Sequence, residues 1–114
     1  MIDYSPTLVK ELKKILPTFY ENKLTSDTPT PCISYMELNN SAVNTGDTIG
    51  YSRLTFQVKV WAYDIKTINQ YVSLVDDTMR TLGFKRISSG EMRDNQSTMI
   101  QRILTYEALA LEEY

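Results

Sequence analysis

The chain has 114 residues, of which 42% are apolar and 23% charged, and its 12 Lys and Arg against 14 Asp and Glu give a formal net charge of -2. This composition predicts a single globular domain over residues 1–114. The sequence has no His and only one Cys, Cys32, which excludes His-based nucleophilic catalysis, the usual His/Cys zinc sites and an internal disulfide. The near-balanced charge provides no positive field for a nucleic-acid backbone or an anionic lipid surface.

The N-terminal residues MIDYSPTLVK lack the basic stretch and the unbroken apolar run of a signal peptide. No apolar stretch approaches the ~20 residues that span a bilayer. We therefore expect synthesis in the cytoplasm, no membrane anchor and no membrane partner.

A first helix is predicted to begin at Ser5, an N-cap residue type followed by Pro6, and to end before Pro17. Its apolar face consists of Leu8, Leu12, Ile15 and Leu16. A short β-prone segment follows at residues 18–22. After a Pro-containing connector, a strand is predicted over residues 32–38, CISYMEL, with apolar side chains on both faces.

Residues 39–50, NNSAVNTGDTIG, are rich in Asn, Ser, Thr and Gly and separate two strand patterns, which predicts a long hairpin loop. Hairpin loops usually take about 2–5 residues, and extra length is often retained for contacts. The loop is therefore a candidate interaction surface, although a floppy hairpin tip is an equal alternative. Its predicted contact residues are Asn39, Asn40, Asn44, Asp47 and Ile49.

The clearest strand pattern follows this loop. One face is apolar throughout and is expected to be core: Leu54, Phe56, Val58, Val60 and Ala62. The alternation places Lys59 on the opposite, polar face, which ends in Trp61 and Tyr63. These two aromatic residues are either covered by another element or exposed to a partner, and they complete the predicted contact set.

A second helix is predicted after Asp64, a good N-cap residue, and it ends at Gly83. Its apolar seam recurs at helical spacing through Ile65, Ile68, Val72, Val75, Met79 and Leu82. A single seam of this length favours docking on a sheet over a coiled coil. Asp76 and Asp77 lie outside the seam, so their simplest interpretation is a solvated face.

Two strands are expected to complete the chain. The first covers residues 84–87 and is followed by turn residues at 88–90 and 93–97; the second covers residues 98–110, with a helix over 103–112 as the alternative. The predicted fold is α+β, with a mixed or antiparallel sheet of four to five strands and two helices packed on one face.

No catalytic motif accompanies this fold. The glycines form neither a phosphate-binding nor a dinucleotide-binding pattern, and the adjacent carboxylates Asp76-Asp77 and Glu112-Glu113 do not converge on one substrate. We therefore predict no enzyme activity and no cofactor. Binding of a divalent cation stays open for four aspartates, without an EF-hand loop: Asp47, Asp76, Asp77 and Asp94.

The segment at residues 56–86, FQVKVWAYDIKTINQYVSLVDDTMRTLGFKR, has a strand ending in Trp, a helix directly after it, and L-G-F-K-R leading into the next strand. In this it resembles the tail-completion, or tail-terminator, proteins of long-tailed, siphovirus-type bacteriophages. The resemblance spans nearly the whole chain in element order, including the opening L-x-x-x-L-K-K-x-[IL]-P helix and the Pro-rich run before CISYMEL. Because family members vary widely, no functional residue carries over individually.

This resemblance implies a virion protein of the tail-neck region, assembled in the host cytoplasm. It implies a hexameric ring that caps the head-proximal end of the tail tube, stops polymerisation of the major tail tube protein and offers a surface to the head-tail connector protein. DNA would be met only in passage through the ring. Two alternatives stay open: another neck component, such as a stopper or adaptor, and a small-ligand-binding regulatory domain.

Overall fold

The computed structural model of the protein describes residues 4–21, 28–43, 49–93 and 99–113. The elements follow the predicted order: α1 (Ser5–Leu12), β1 (Thr18–Tyr20), β2 (Cys32–Val43), β3 (Ile49–Ala62), α2 (Ile65–Thr81), β4 (Lys85–Arg93) and β5 (Ile100–Glu113). The strands form one sheet in the order β1-β2-β3-β5-β4, in which β1 pairs with β2 in parallel and all other pairs are antiparallel. The α+β fold with a five-stranded mixed sheet is confirmed.

The core lies between one face of this sheet and both helices. All five predicted apolar positions of β3 are at most 1% exposed, as the period-2 pattern requires. Leu8 and Leu12 of α1 and Val75 and Met79 of α2 belong to the same buried cluster as Phe56 of β3. Both helices therefore pack on the same face of the sheet.

The second helix begins and ends where its local sequence predicts. The Asp64 side chain accepts hydrogen bonds from the backbone N–H of Thr67 at 2.7 Å and from its hydroxyl at 2.9 Å. Gly83 has φ +94°, its N–H donates to the Arg80 carbonyl at 3.0 Å, and the Phe84 N–H donates to the Met79 carbonyl at 2.9 Å. This is a Schellman motif, in which glycine takes the left-handed conformation at low cost.

The first helix is shifted relative to its prediction. It is capped by Tyr4 rather than Ser5, because the Leu8 N–H donates to the Tyr4 carbonyl at 3.1 Å. The helix ends at Leu12 rather than before Pro17, and tighter turns follow, with the Ile15 N–H bonded to the Leu12 carbonyl at 2.9 Å. Pro17 has no N–H for the carbonyl that a continued helix would present to it.

Most of the predicted 39–50 loop is strand, so that prediction was wrong in its boundaries. Residues 39–43 pair with residues 51–55 of β3, beyond a register shift between Glu37 and Asn39, and Ile49 already pairs with Glu113 of β5. Pairing with β3 supplies backbone hydrogen bonds that outweigh the weak local turn preference of Asn and Ser. The remainder of the loop, with Asn44 and Asp47, lies outside the described residues.

The closing strands also differ from expectation in their extent. The turn predicted at residues 88–90 is wrong: β4 continues to Arg93 along β5, with a register shift between Arg86 and Ser88. Polar residues are tolerated there because β4 is an edge strand with little burial. The last strand is confirmed over its helical alternative, although it covers Ile100–Glu113 rather than 98–110. Within the described residues, no helix is long and apolar enough to cross a membrane.

Candidate interaction surface

The predicted contact residues that the structure describes lie at two separate ends of the sheet. Trp61 pairs with Cys32, whereas Asn39 pairs with Thr55. Thr55 and Trp61 are six residues apart on β3, or about 20 Å at the ~3.4 Å rise of an antiparallel strand. The structure therefore does not bring the predicted residues together into one site. The two ends of the sheet have different neighbouring residues.

Trp61 is half-buried on the sheet face opposite the helices, where its indole N–H donates to the Ser34 hydroxyl at 2.9 Å. The Ser34 hydroxyl donates to Glu21 Oε2 at 2.7 Å, and Lys59 Nζ donates to Glu21 Oε1 at 2.7 Å. Lys59 Nζ also lies 5.8 Å from the centroid of the Trp61 ring. We call these four residues the Glu21 cluster. The indole N–H therefore has its hydrogen-bond partner within the protein.

The Glu21 cluster connects the end of β1 with β2 and β3. Its ion pair is well shielded, since the Lys59 side chain is 16% exposed. The alternation of β3 correctly placed Lys59 on the polar face, but its partner was not foreseen. The only signal was a Glu within the short β-prone segment 18–22, and that segment's parallel pairing with β2 leaves no trace in the periodicity.

The sole cysteine lies on the same face as the cluster. Cys32 is 3% exposed, and burial raises the pKa of its thiol to about 11. The nucleophilic thiolate is therefore scarce at neutral pH. This is an inert, structural environment for a cysteine.

Tyr63 differs from Trp61 in exposure. It follows β3 and directly precedes the N-cap of α2, and it is 58% exposed. A large exposed aromatic side chain is typical of interface contacts. Of the two predicted aromatic residues, Tyr63 is the one available to a partner.

At the other end of the sheet, β2, β3 and β5 extend beyond the pairings of β1 and β4 that the described residues make. Asn39 is exposed there and its side-chain amide donates to the Ser41 hydroxyl at 3.0 Å, and Asn40 is half-buried. Arg53 and Glu107 form an ion pair at 3.0 Å that joins β3 to β5. Among the side chains that the structure describes at this end, Leu38 on β2 and Leu109 on β5 are exposed large apolar residues.

A groove of about 440 Å³ lies between α2 and β4. Asp76 accepts hydrogen bonds there from the Tyr106 hydroxyl and from Arg86, while Asp77 pairs with Arg80. Burial, and then the hydrogen bond to Asp76, raise the pKa of Tyr106 above its ordinary value. The expectation of a solvated face was therefore wrong for Asp76, which ties the helix to the sheet.

Both groove carboxylates accept from arginines, and the groove contains cations and anions in near balance. Among the described residues, no group of three Cys, Asp or Glu side chains is arranged to hold a metal ion. Asp47 and Asp94, which the sequence left open as cation ligands, lie outside the described residues.

Comparison with solved structures relates this fold to a chain of a virion assembly. The chain is similar to a chain of the virion of a native gene transfer agent particle, with a TM-score of 0.58 and 13% sequence identity. The similarity covers 92% of this chain and 84% of that chain. No protein-family model and no curated protein sequence matches. At this identity the likeness shows that the two chains share a fold.

Proposed function

We propose that the chain is a structural protein of a phage-like virion that caps the head-proximal end of the tail tube as a hexameric ring. The observation that carries the proposal is the fold shared with a gene transfer agent virion chain over 92% of this chain. The resemblance of residues 56–86 to tail-terminator proteins supports it independently. The cap stops tube polymerisation and provides the surface for head-tail joining.

A cap of this kind works through two different faces. One face reproduces the contacts by which tube rings dock on each other, and the opposite face cannot accept another tube ring, so that addition stops. The predicted contact residues at two ends of the sheet, about 20 Å apart at ~3.4 Å per residue, suit a subunit that must bind a different partner on each side. We assign contacts to Asn39, Asn40 and Ile49 at one end and Tyr63 at the other.

The proposal also includes the other three predicted contact residues, Asn44, Asp47 and Trp61. Asn44 and Asp47 stay predicted contacts, and they lie outside the described residues. Trp61 is assigned a supporting role, because its indole N–H donates to Ser34 at the end of β3 that precedes Tyr63. The net charge of -2 suits a ring through which DNA passes without being bound.

The test is electron microscopy of particles assembled without this protein. We expect overlong tail tubes without heads, because nothing ends polymerisation. Tails of normal length beside unjoined heads would instead identify a stopper or adaptor, and unaffected particles would favour a ligand-binding domain.

Complementation then locates the contacts. Deleting residues 44–47, or changing Tyr63→Ala, is expected to restore capped tails poorly. Leu74→Ala, which removes an exposed side chain from α2, is the matched control and is expected to restore them fully. Full capping by both test variants would contradict the assigned contacts.

A further inference from the structure

The pairing of β4 with β5 contains one extra residue. The register shifts between Arg86 and Ser88, and Ile87 is the residue left over at this point. An extra residue in one strand of an antiparallel pair is a β-bulge. We call residues 88–93 the distal part of β4. Moving the distal part by one position along β5 would pair Ile87 and remove the bulge, and it would turn every side chain of the distal part to the opposite face of the sheet.

The sequence of the distal part, SSGEMR, specifies its register weakly. A register is strongly specified where one face of a strand is buried, but residues 88–92 are exposed on both faces of the sheet. β4 is an edge strand that is paired with β5 alone. Gly90, near the centre of the distal part, has no side chain that could hold one register against another.

The register that the structure adopts has weak contacts. Met92 lies opposite Gln101 and is 53% exposed. Glu91 lies opposite Arg102, but Arg102 Nη2 is 3.9 Å from Glu91 Oε1, which is too long for a hydrogen bond. Gln101 Oε1 and Arg102 Nε are shielded from solvent and have no hydrogen-bond partner among the described residues. Shielded polar atoms without partners cost free energy, so this register is not strongly favoured by its side chains.

A register displaced by one residue would have contacts of a different kind. Met92 would lie opposite Ile100, which is 4% exposed and packs with α2, and Met92 would gain burial there. Gly90 would lie opposite Arg102 and leave room for water at its guanidinium. Glu91 would move to the other face and lose its long ion pair with Arg102, which contributes little because exposed ion pairs are weak. The displacement therefore exchanges one small stabilising contribution for another.

We propose that the distal part of β4 exchanges between two registers on β5: the bulged register of the structure and a minor, bulge-free register displaced by one residue. On the sheet face opposite the helices, the bulged register presents Met92 and the bulge-free register presents Glu91. A partner that contacts this edge of the sheet selects the register that it binds better. The exchange is thus a conformational switch within the chain, and it does not depend on the proposed capping function.

Pairs of cysteines on the purified chain distinguish the two registers. Gly90→Cys/Ile103→Cys reports the bulged register, in which these two positions are opposite each other. Ser89→Cys/Ile103→Cys reports the bulge-free register, because in the bulged one Ser89 is opposite Leu104 and its side chain lies on the other face. Directly opposite residues are within reach of a disulfide, whereas residues on opposite faces are not. The native Cys32 is buried with a pKa of about 11, so it contributes little background.

Oxidation with copper phenanthroline, read by peptide mass spectrometry, is expected to form both disulfides. The Ser89→Cys disulfide should form more slowly, because it traps the minor register. Deleting Ile87 is the matched control, since it removes the bulge while keeping the distal pairs of the structure. The deletion should abolish the Ser89→Cys disulfide and retain the Gly90→Cys disulfide. A Ser89→Cys pair that stays reduced, or one that oxidises equally well after the deletion, would overturn the proposal.

Nuclear magnetic resonance of the chain without added cysteines gives a second measurement. Backbone amide signals of residues 88–93 are expected to show exchange broadening or a second set of peaks, and deleting Ile87 should leave one sharp set. One sharp set already present in the native chain would overturn the proposal, whatever the cysteine variants do.

Discussion

The sheet has a five-stranded part, where β1 and β4 flank the central strands, and a three-stranded end formed by β2, β3 and β5. The two parts differ in the contacts that stabilise them. In the five-stranded part, helices bury one face of β3 and the Glu21 cluster ties three strands together on the other. In the three-stranded end, β2, β3 and β5 continue beyond the pairings of β1 and β4, and the described side chains there include the exposed Leu38 and Leu109. The same strand β3 runs through both parts.

The two parts therefore differ in how much they contribute to the free energy of unfolding. The five-stranded part is stabilised by burial of apolar side chains within the chain. Its sequence is strongly periodic for that reason. Among the described side chains of the three-stranded end, Leu54 and Ser52 are buried, whereas Leu38 and Leu109 are exposed. Variants at the exposed positions of the three-stranded end should therefore change the free energy of unfolding much less than variants in the core of the five-stranded part.

The largest expected effect is in the core. Phe56 is fully buried and meets Phe84 edge to face at 5.7 Å between ring centroids. Phe56→Ala should lower the free energy of unfolding by about 3–5 kcal/mol, through lost burial and the cavity left behind. Urea unfolding of the dilute chain measures this.

Leu109→Ala removes an apolar side chain of similar kind from the three-stranded end. Because Leu109 is 61% exposed, the free energy of unfolding should change by no more than about 0.5 kcal/mol. A loss comparable to that of Phe56→Ala would mean that the three-stranded end is packed by its own chain, and the contrast between the two parts would fail.

The next effect tests the Glu21 cluster. Glu21→Ala leaves the Lys59 amine shielded and without its carboxylate partner, which should cost about 2 kcal/mol of unfolding free energy. Adding Lys59→Met removes the stranded charge and should restore much of that loss. A double variant no more stable than Glu21→Ala would show that the cluster acts through packing and not through its charges.

The elements that were predicted correctly are those with a strongly periodic pattern of apolar residues. The alternation from Leu54 to Ala62 and the seam from Ile65 to Leu82 arise from burial against each other, and both are confirmed. Asp64 and Gly83 mark the limits of α2 through local chemistry, so their roles could be read directly from the sequence.

The errors occur where burial is weak or partners are distant. Residues 39–41 and 88–90 are of turn-forming types, Asn, Ser and Gly. Their strand conformation comes from pairing with β3 and β5, so their composition misled the prediction. The Glu21 cluster depends on parallel pairing of β1 with β2, which brings Glu21 to Lys59 across 38 positions of sequence. No local pattern encodes such a contact.

A smaller effect is expected at Tyr106, which joins β5 to α2 through Asp76. Tyr106→Phe keeps the ring but removes a hydrogen bond to a carboxylate, at a cost of about 1.5 kcal/mol near neutral pH. Because the pKa of Tyr106 is raised in the folded protein, its contribution is complete below the unfolded pKa of ~10 and declines as pH rises above it.

The gap between the unfolding free energies of the native chain and Tyr106→Phe should therefore narrow by about 1 kcal/mol near pH 11. Parallel denaturant titrations at neutral and alkaline pH measure it. A gap that is constant with pH would show that the hydroxyl is not held protonated by its burial and by Asp76.

The smallest effect is expected at the exposed N-cap of α2, where the first turn of the helix meets solvent. Asp64→Ala leaves the Thr67 N–H without its acceptor and should lower the Tm by a few degrees. Hydrogen bonds from Thr67 lower the pKa of Asp64, so the charged cap stabilises the fold above the unfolded pKa of ~3.9, and this contribution is lost as pH falls through the folded value. Asp64→Asn keeps a cap acceptor without the titrating charge, so its Tm should lie close to that of the native chain in acid and below it at neutral pH. If Asp64→Asn instead followed the native chain at every pH, the cap would act through its hydrogen bond alone, and the lowered pKa would have no counterpart in stability.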